Sequence, residues 1–281
     1  MNDAVHALAL AADGVLFAGG AFTTVGGSRP CLRAARFDGV QWQTLGAGVN
    51  TTLNATVNAL AGLPNGDVLL GGLFADFGMS RLARHNRLGN TIETVSQGVV
   101  GPSVSALASA ANGDVLIGGD FAAIQLPLAA GLLASGHLAV LTTDCPALAT
   151  PVPTTCIGPA GPLALTADTL PWVGATFRST ATGYAPQALA VAVFGLQSAN
   201  VPLAQLHPTG LPNCNLLTST DSLLLVFPAA GVSHHQLAVP NSAVFAGVQL
   251  SHQCLQLSLS GSGALQSISS SNALTLVIGL L

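Results

Sequence analysis

The sequence contains no lysine, and Glu93 is its only glutamate. Only 6% of its 281 residues are charged, against roughly 25% in an average soluble domain. Without lysine, the chain cannot form a Schiff base through a side-chain amine or hold a phosphate with a P-loop lysine. A single glutamate also excludes a pair of catalytic glutamates.

Long exposed helices have little material here, because their surfaces usually draw on glutamate and lysine. Hydrophobic residues make up 50% of the chain, in short valine- and leucine-rich runs broken by glycine, proline and asparagine. This pattern is typical of β-strands and turns. No apolar run reaches the ~20 residues of a membrane-spanning helix, and we expect the last run, 273–281, to be a buried strand. The sequence therefore predicts an all-β protein without a membrane span.

The charge pattern does not indicate a nucleic-acid partner. The net charge is −4, and the seven basic residues are all arginines. Six of them form two clusters in equivalent parts of two sequence repeats, which favours a structural role: Arg29, Arg33 and Arg36, then Arg81, Arg84 and Arg87. Because no basic stripe is present, we expect no nucleic-acid binding.

The chain has five cysteines, and no two of them have the C-x-x-C spacing of a zinc site. A sparse set in a β-rich, weakly charged chain suits one or two disulfides in an oxidising compartment. The odd count leaves at least one thiol free, for which we favour Cys31. The opening residues MNDAVHAL lack the basic and apolar regions of a secretory leader, so we expect a truncated reading frame or a removed leader.

Three stretches of the first half repeat one pattern about 50 residues apart. Each opens with V-x-A-L-A, reaches Asp-Gly or Asn-Gly, and continues into an apolar strand that ends in Gly-Gly. Asp-Gly and Asn-Gly are strong hairpin signals, and a type I′ turn would need positive φ at both positions. A phenylalanine follows each Gly-Gly pair and is expected to plug the core between repeats: Phe22, Phe74 and Phe121.

A third strand follows in each copy, and the first copy adds a fourth that contains Trp42. Four short strands in a period of about 40 to 50 residues indicate a blade of a β-propeller. One such sheet cannot bury two apolar faces alone, whereas stacked sheets bury both. The sequence therefore predicts a partial propeller over 1–143, with three four-stranded blades at about 5–52, 57–100 and 104–143.

This repeat resembles the galactose-oxidase/kelch-like propeller repeats of secreted bacterial proteins. The resemblance rests on V-x-A-L, then [DN]-G-x-[VL]-[LVI]-x-G-G-x-F, an L-A-R strand and a W-x-x-L-G strand, and it implies an extracellular protein. A propeller needs at least about four blades to close. Three possibilities stay open: a fragment of a longer propeller, a homo-oligomer that completes the ring, or closure by a downstream strand.

The second half has a different organisation. Proline and threonine rise over 144–162, which we interpret as a linker or an extended edge strand. Seven or so short strands then predict an antiparallel β-sandwich over 163–281. This half resembles an uncharacterised C-terminal module of secreted planctomycete- and myxobacteria-type proteins, on the residues CIGPAGPL, LPWVGATF, LPNCNL and VPNSAVFAGVQL. We expect a Cys156–Cys214 disulfide, with Cys145 and Cys254 as the alternative pairing.

Candidate site residues are few, because nucleophile elbows and metalloprotease motifs do not occur in the sequence. Four residues near strand ends of the repeats are candidate catalytic residues: Asp76, Asp120, His85 and His137. Three aspartates could hold Ca²⁺ if turns converge on one rim: Asp67, Asp114 and Asp120. Turn chemistry is the favoured explanation of Asp67 and Asp114, and a half-buried strand position is the favoured explanation of each histidine.

Three functions are consistent with these features. The first is an extracellular or cell-surface protein with a structural, adhesion or binding role. The second is a Ca²⁺-dependent hydrolase of the lactonase, esterase or glycosidase kind, acting on a small lactone, an ester or a carbohydrate through the strand-end residues. The third is a carbohydrate-binding module, which the scarcity of tryptophan and tyrosine disfavours.

Overall fold

The computed structural model describes residues 1–27, 29–31, 33–45, 56–76, 79–95, 98–110, 112–125, 132–143 and 145–280. It is all-β, with 57% of residues in strands and 3% in helices. The chain divides into two compact units, Met1–Thr143 and Asp144–Leu281. The described part holds no helix that is long and apolar enough to cross a membrane.

The described residues of the first unit form sixteen strands in five antiparallel sheets. Three sheets correspond to the three repeats, with strand orders β1-β2-β5-β6, β10-β9-β8-β7 and β12-β13-β16, and two small sheets, β3-β4 and β11-β14-β15, come from the connections. The strands are β1 (Val5–Leu10), β2 (Leu16–Gly20), β3 (Thr24–Val25), β4 (Arg29–Pro30), β5 (Ala34–Phe37), β6 (Trp42–Thr44), β7 (Val57–Gly62), β8 (Val68–Asp76), β9 (Met79–Asn86), β10 (Thr91–Thr94), β11 (Val99–Val100), β12 (Ser103–Ser109), β13 (Val115–Asp120), β14 (Ala123–Gln125), β15 (Leu132–Ala134) and β16 (Leu138–Leu141).

The hairpin turn of each repeat differs from the predicted type I′ turn. Only its glycine has positive φ, with values of 85°, 88° and 88° at Gly14, Gly66 and Gly113. The preceding Asp or Asn side chain instead accepts a hydrogen bond from the backbone N–H two residues on, as in Asp67 N to Asn65 Oδ1 at 3.1 Å. The turn is therefore an Asx turn closed by a left-handed glycine, which explains the Asp-Gly and Asn-Gly pairs.

Successive repeat sheets pack face to face through a contact at the first glycine of each Gly-Gly pair. A Cβ added at Gly19 would lie 2.5 Å from Val57 Cγ1, and one added at Gly71 would lie 2.4 Å from Val104 Cγ1. Neither distance leaves room for a side chain, so glycine is needed where the next sheet's valine enters. Phe74 and Phe121 are fully buried in the two cores that result.

The third repeat differs from the predicted four-stranded blade. The first two repeat sheets have four strands each, whereas the third has three among the described residues. A fourth strand was expected between β16 and residue 143. The structure describes no further strand there, since β16 (Leu138–Leu141) is the last described strand of the unit. The described strands do not close into a barrel or ring.

The second unit, over its described residues 145–280, forms ten strands in three sheets. A five-stranded sheet, β17-β26-β25-β20-β23, and a three-stranded sheet, β18-β19-β24, contribute to one core that includes Phe177, Ala192 and Leu276. The elements are β17 (Leu148–Val152), β18 (Ala164–Ala167), β19 (Thr176–Thr182), β20 (Leu189–Gly195), β21 (Ser198–Pro202), α1 (Leu203–Leu206), β22 (Asn215–Thr218), β23 (Ser222–Val226), β24 (Val232–Ala238), a 3-10 turn (Ala243–Phe245), β25 (Gln249–Leu259) and β26 (Leu265–Val277).

The stretch 144–162 is not an isolated connection. Strand β17 lies within it and pairs with β26 along five residues, so it forms one edge of the large sheet. The strand alternative raised for this stretch therefore describes Leu148–Val152. Cys156 also lies here and forms a disulfide with Cys214, while Cys31 and Cys254 are free thiols among the described residues.

The contact at Gly71 predicts a position-specific cost. Gly71→Ala should destabilise the first unit by about 1–3 kcal/mol, because the new methyl group overpacks against Val104. Urea unfolding reports it through Trp42 in a Trp172→Phe background, since each unit holds one of the two tryptophans. The control is Gly136→Ala, where an added Cβ meets no described atom within 4 Å. Equal urea midpoints for the two variants would contradict this account.

Candidate functional site

Asp67, a candidate Ca²⁺ ligand, is occupied by protein donors. Its carboxylate forms an ion pair with Arg84, accepts the backbone N–H of Arg87 at 2.9 Å, and accepts Asn65 Nδ2 at 3.0 Å. Asp67 is also buried. The arginine supplies the positive charge that a cation would otherwise bring, so the carboxylate ties the hairpin turn to the third strand of its sheet.

Asp114 holds the equivalent place in the third repeat, with fewer partners. It accepts Asn112 Nδ2 at 2.8 Å, and its backbone N–H donates to Asn112 Oδ1 at 3.2 Å. The residue in the place of Arg84 is Val140, which pairs with Leu116 as Arg84 pairs with Leu69. Across the described residues, no three His, Cys, Asp or Glu side chains form a group that could hold a metal ion.

Two of the four candidate catalytic residues lie next to each other. His137 Nδ1 is 3.9 Å from Asp120 Oδ1, and both side chains are about two-thirds or more exposed. The same Nδ1 lies 3.2 Å from the Gly119 carbonyl oxygen. His137 has φ 66°, and Arg33 and Arg81 hold the same left-handed conformation at the equivalent places of the other repeats. His137 therefore occupies a position whose left-handed backbone conformation recurs in every repeat, and the contact with Asp120 is an addition specific to the third repeat.

The other two candidates are not part of that pair. His85 is fully buried between the first two repeat sheets, where its ring lies 5.5 Å from the ring of Phe17. Its Nε2 is 2.9 Å from Asn90 Oδ1, and burial lowers the pKa of this imidazole. His85 is therefore a neutral core residue. Asp76 is the last residue of β8, and its side chain lies outside what the structure describes.

A buried polar cluster lies elsewhere, in the core of the second unit. Ser233 Oγ lies 2.8 Å from His235 Nε2 and 3.1 Å from the hydroxyl of Tyr184. The Cys254 thiol is 3.3 Å from the same His235 nitrogen. All four residues are buried. The cluster joins β24, β25 and the segment before β20. It therefore links the three-stranded sheet to the five-stranded sheet through polar contacts.

His252 extends this cluster. Its Nε2 lies 3.0 Å from Ser179 Oγ, its Nδ1 lies 3.0 Å from the Val193 carbonyl oxygen, and its ring stacks on Phe194 at 4.0 Å. The rings of His252 and His235 are 5.5 Å apart. Both polar atoms of His252 therefore have partners, as a buried polar group requires.

The cluster resembles a thiol–imidazole pair in composition, but its electrostatics are those of a neutral network. Burial raises the pKa of the Cys254 thiol to about 12 and lowers the pKa of His235 and of His252 to about 4 each. Burial also raises the pKa of Tyr184 above its usual value. At neutral pH the thiol keeps its proton and the imidazoles are uncharged, whereas nucleophilic catalysis needs a thiolate.

Sequence reasoning passed over this cluster, although a signal was present. Ser233 and His235 are two residues apart in β24, and His252 and Cys254 are two apart in β25, so each pair lies on one strand face. His234 between them points to the other face, is exposed, and lies 3.0 Å from Thr180 Oγ1. Period-two spacing of polar residues in an apolar strand thus marked the buried face.

A groove of about 610 Å³ lies at one end of the second unit, beside Tyr184. Its lining includes Pro186, Gln187, Phe227 and Pro228, and no charged side chain lines it among the described residues. Phe227 is largely exposed at its rim. The groove could hold an apolar group, and the one ionisable side chain that lines it among the described residues is Tyr184, whose pKa is raised by burial so that the phenol stays protonated.

Comparisons with known proteins identify no relative. No protein-family model matches the chain, and no curated protein matches it at significant similarity.

The unequal partners of Asp67 and Asp114 predict unequal costs. Asp67→Ala should destabilise the first unit by about 2–4 kcal/mol, because it leaves a partly buried arginine and a backbone N–H without their acceptor. Asp114→Ala is the matched control and should cost less than about 1 kcal/mol. Unfolding followed through Trp42 measures both. Similar losses at the two positions would show that the arginine pairing carries no stability.

The lowered pKa values predict acid sensitivity of the second unit. An unfolded histidine with a pKa of 6.5 gains a proton where folded His235, with a pKa of about 4, does not. Stability is therefore complete above pH 6.5 and falls between pH 6.5 and 4, by about 1.4 kcal/mol per pH unit for each such histidine. Unfolding monitored by Trp172 in a Trp42→Phe background measures this slope.

His235→Gln should reduce that slope by about one proton. Exposed His207 provides the control, and His207→Gln should leave the slope unchanged. An equal slope for wild type and His235→Gln would mean that His235 takes up its proton in the folded state.

Proposed function

We propose that this chain is an extracellular or cell-surface binding scaffold, built from a β-propeller-type blade array and a β-sandwich, and that it carries out no chemistry itself. The observation that carries the proposal is the nature of its exposed surface. The first and third repeat sheets leave leucine side chains in solvent, among them Leu8, Leu116 and Leu138. Large exposed apolar patches mark surfaces that bind other macromolecules.

The blade interpretation draws support from the repetition of three-dimensional features. Turn glycines, left-handed residues at Arg33, Arg81 and His137, and glycine–valine contacts recur at equivalent places. Such recurrence is expected when each repeat is one unit that buries its face only against a neighbour.

The Cys156–Cys214 disulfide supports an oxidising environment. It lies in a core cluster with Val193, Leu203 and Leu216 and links the stretch before β18 to the start of β22. A low content of charged residues leaves the fold dependent on apolar packing and on such a covalent link.

The titratable groups support a non-catalytic role. The described groups with the most strongly shifted pKa values, Tyr184, His235, His252 and Cys254, are buried and neutral at pH 7. Shifted groups in an active site instead line a cleft that substrate can enter. Of these four groups Tyr184 lines the groove described above, and His235, His252 and Cys254 do not.

A Ca²⁺-dependent hydrolase acting on lactones, esters or glycosides is the second candidate. It is favoured by one observation, the exposed Asp120–His137 pair at a strand end. A carboxylate beside an imidazole can orient it as a general base. Ca²⁺ would need further oxygen ligands around Asp120, since it takes six to eight.

Hydrolysis of a panel of lactones, aryl esters and aryl glycosides, with Ca²⁺ and with EDTA, tests the proposal. We expect no turnover above the rate in buffer from protein whose near-ultraviolet circular dichroism shows a folded core. Turnover that EDTA abolishes and that Asp120→Asn removes, while the control Asp3→Asn keeps it, would overturn the scaffold proposal and establish the hydrolase.

A further inference from the structure

Neighbouring repeat sheets pack through one kind of contact, which occurs twice within the chain. The exposed face of the first sheet carries one side of this contact, and the exposed face of the third sheet carries the other. We call the face of the first sheet formed by Val5, Leu8 and Leu10 the leading face. We call the face of the third sheet formed by Ala106, Leu116, Gly118, Leu138 and Val140 the trailing face. In the middle repeat, most equivalents of these residues are buried, among them Val57, Leu60, Leu69 and Leu82, because a sheet packs on each side.

The internal contact follows one rule. A valine and a leucine of one sheet's first strand enter the space over a glycine of the preceding sheet. Val57 and Leu60 lie over Gly19, within 2.5 and 3.4 Å of its Cβ position, and the next such contact places Val104 and Leu107 over Gly71, within 2.4 and 3.3 Å. The rule thus holds at both junctions between repeat sheets.

The third repeat presents the same glycine without a neighbour. A Cβ at Gly118 would meet only Ala106 of its own sheet, at 3.6 Å, among the described residues. Leu138 pairs with Gly118 as Leu82 pairs with Gly71, yet Leu138 is 58% exposed and Leu82 only 3%. Leu116 is 41% exposed where its equivalent Leu69 is 2% exposed. The trailing face therefore has the glycine and the leucines that receive a neighbouring sheet, but no described residue covers them. We call this place at Gly118 the seat.

The first repeat presents the side chains that such a seat receives. Val5 and Leu8 hold the places of Val57 and Leu60 in the V-x-A-L pattern, and β1 pairs with β2 in the same register as β7 with β8, including the irregularity after the valine. Leu8 is 61% exposed, whereas buried Leu60 lies in the core.

The composition of the trailing face shows that it is not a solvent cap. Terminal repeats of stacked proteins normally carry a polar outer face. Here the change runs in the opposite direction, because Val140 stands where the first two sheets carry Arg36 and Arg84. An apolar residue therefore takes the place of an arginine on the trailing face, which no sheet of the described residues covers.

We propose that a second copy of this chain covers the trailing face, with Val5 and Leu8 of its leading face seated over Gly118. This inference rests on the proposed scaffold function and names the partner. A second copy is the occupant that the structure argues for, because the interface continues one already formed twice within the chain. The contact joins two different surfaces, so it is heterologous and builds a closed ring or an open filament, depending on the rotation per chain.

Sedimentation velocity over a dilution series of the full chain tests the association. We expect the average mass to rise with concentration, and Gly118→Val to weaken self-association by about tenfold or more by filling the seat. That variant should fold, since the nearest described neighbour of its Cβ lies at an ordinary contact distance. Gly261→Val in the second unit, where an added Cβ meets no described atom within 4 Å, is the control.

Cysteine pairing tests the geometry, in a Cys145→Ser background that removes the half-buried Cys145 thiol. Oxidation of a mixture of Val5→Cys and Gly118→Cys proteins should give a cross-linked dimer, while each variant alone should give none. A Gly71→Cys, Val104→Cys double variant is the intrachain control, because those Cβ positions are 3.1 Å apart, close to the about 3.5–4.5 Å of a disulfide.

A chain that stays monomeric at every concentration would overturn this inference, as would cross-linking of Val5→Cys to itself, which indicates a symmetric contact. Failure here is distinct from failure of the scaffold function, which the hydrolysis panel decides. If the chain is monomeric and shows no turnover, only the self-association proposal is overturned. If the chain assembles and shows turnover, only the scaffold proposal is overturned.

Discussion

The close approach of one sheet to the next, at a glycine that receives a valine, is the contact on which the first unit depends. Gly19 and Gly71 lack the Cβ that would collide with Val57 and Val104, so adjacent sheets interlock and bury one another's apolar faces. A single four-stranded sheet in water would leave those faces exposed and would be unstable. The repeated sequence motifs therefore determine the packing between neighbouring sheets as well as the strands themselves.

The second unit solves a different problem, the burial of polar side chains in a two-sheet core. His252, Ser233 and Gln253 find partners within the core, and the histidines lose their charge because desolvation outweighs any stabilisation of the imidazolium. A network of this kind specifies how two sheets pack, since each polar atom needs its partner. Its cost is sensitivity to acid, because unfolding releases basic groups that bind protons.

These two arrangements bear on function in the same way. Among the described residues, ionisable groups lie in exposed pairs, such as Asp120 with His137, in the buried ion pair of Asp67 with Arg84, or in neutral burial, such as Cys254. We propose that a partner binds the apolar sheet surface around Leu116 and Leu8, which is exposed. A weakly charged protein of this kind is suited to association through shape and apolar area.

The sequence by itself determined the all-β class, the three repeats, their turns and the alternation that separates His234 from His235, because these follow from neighbouring residues along one strand. It also placed Cys156 and Cys214 together as the expected pair, which the structure joins. Tertiary structure alone decided that Asp67 forms an ion pair with Arg84 and that His85 packs on Phe17. It also decided that the third repeat sheet has three strands among the described residues. Those outcomes depend on which strands and sheets meet, and pairing between residues distant in sequence has no local signature.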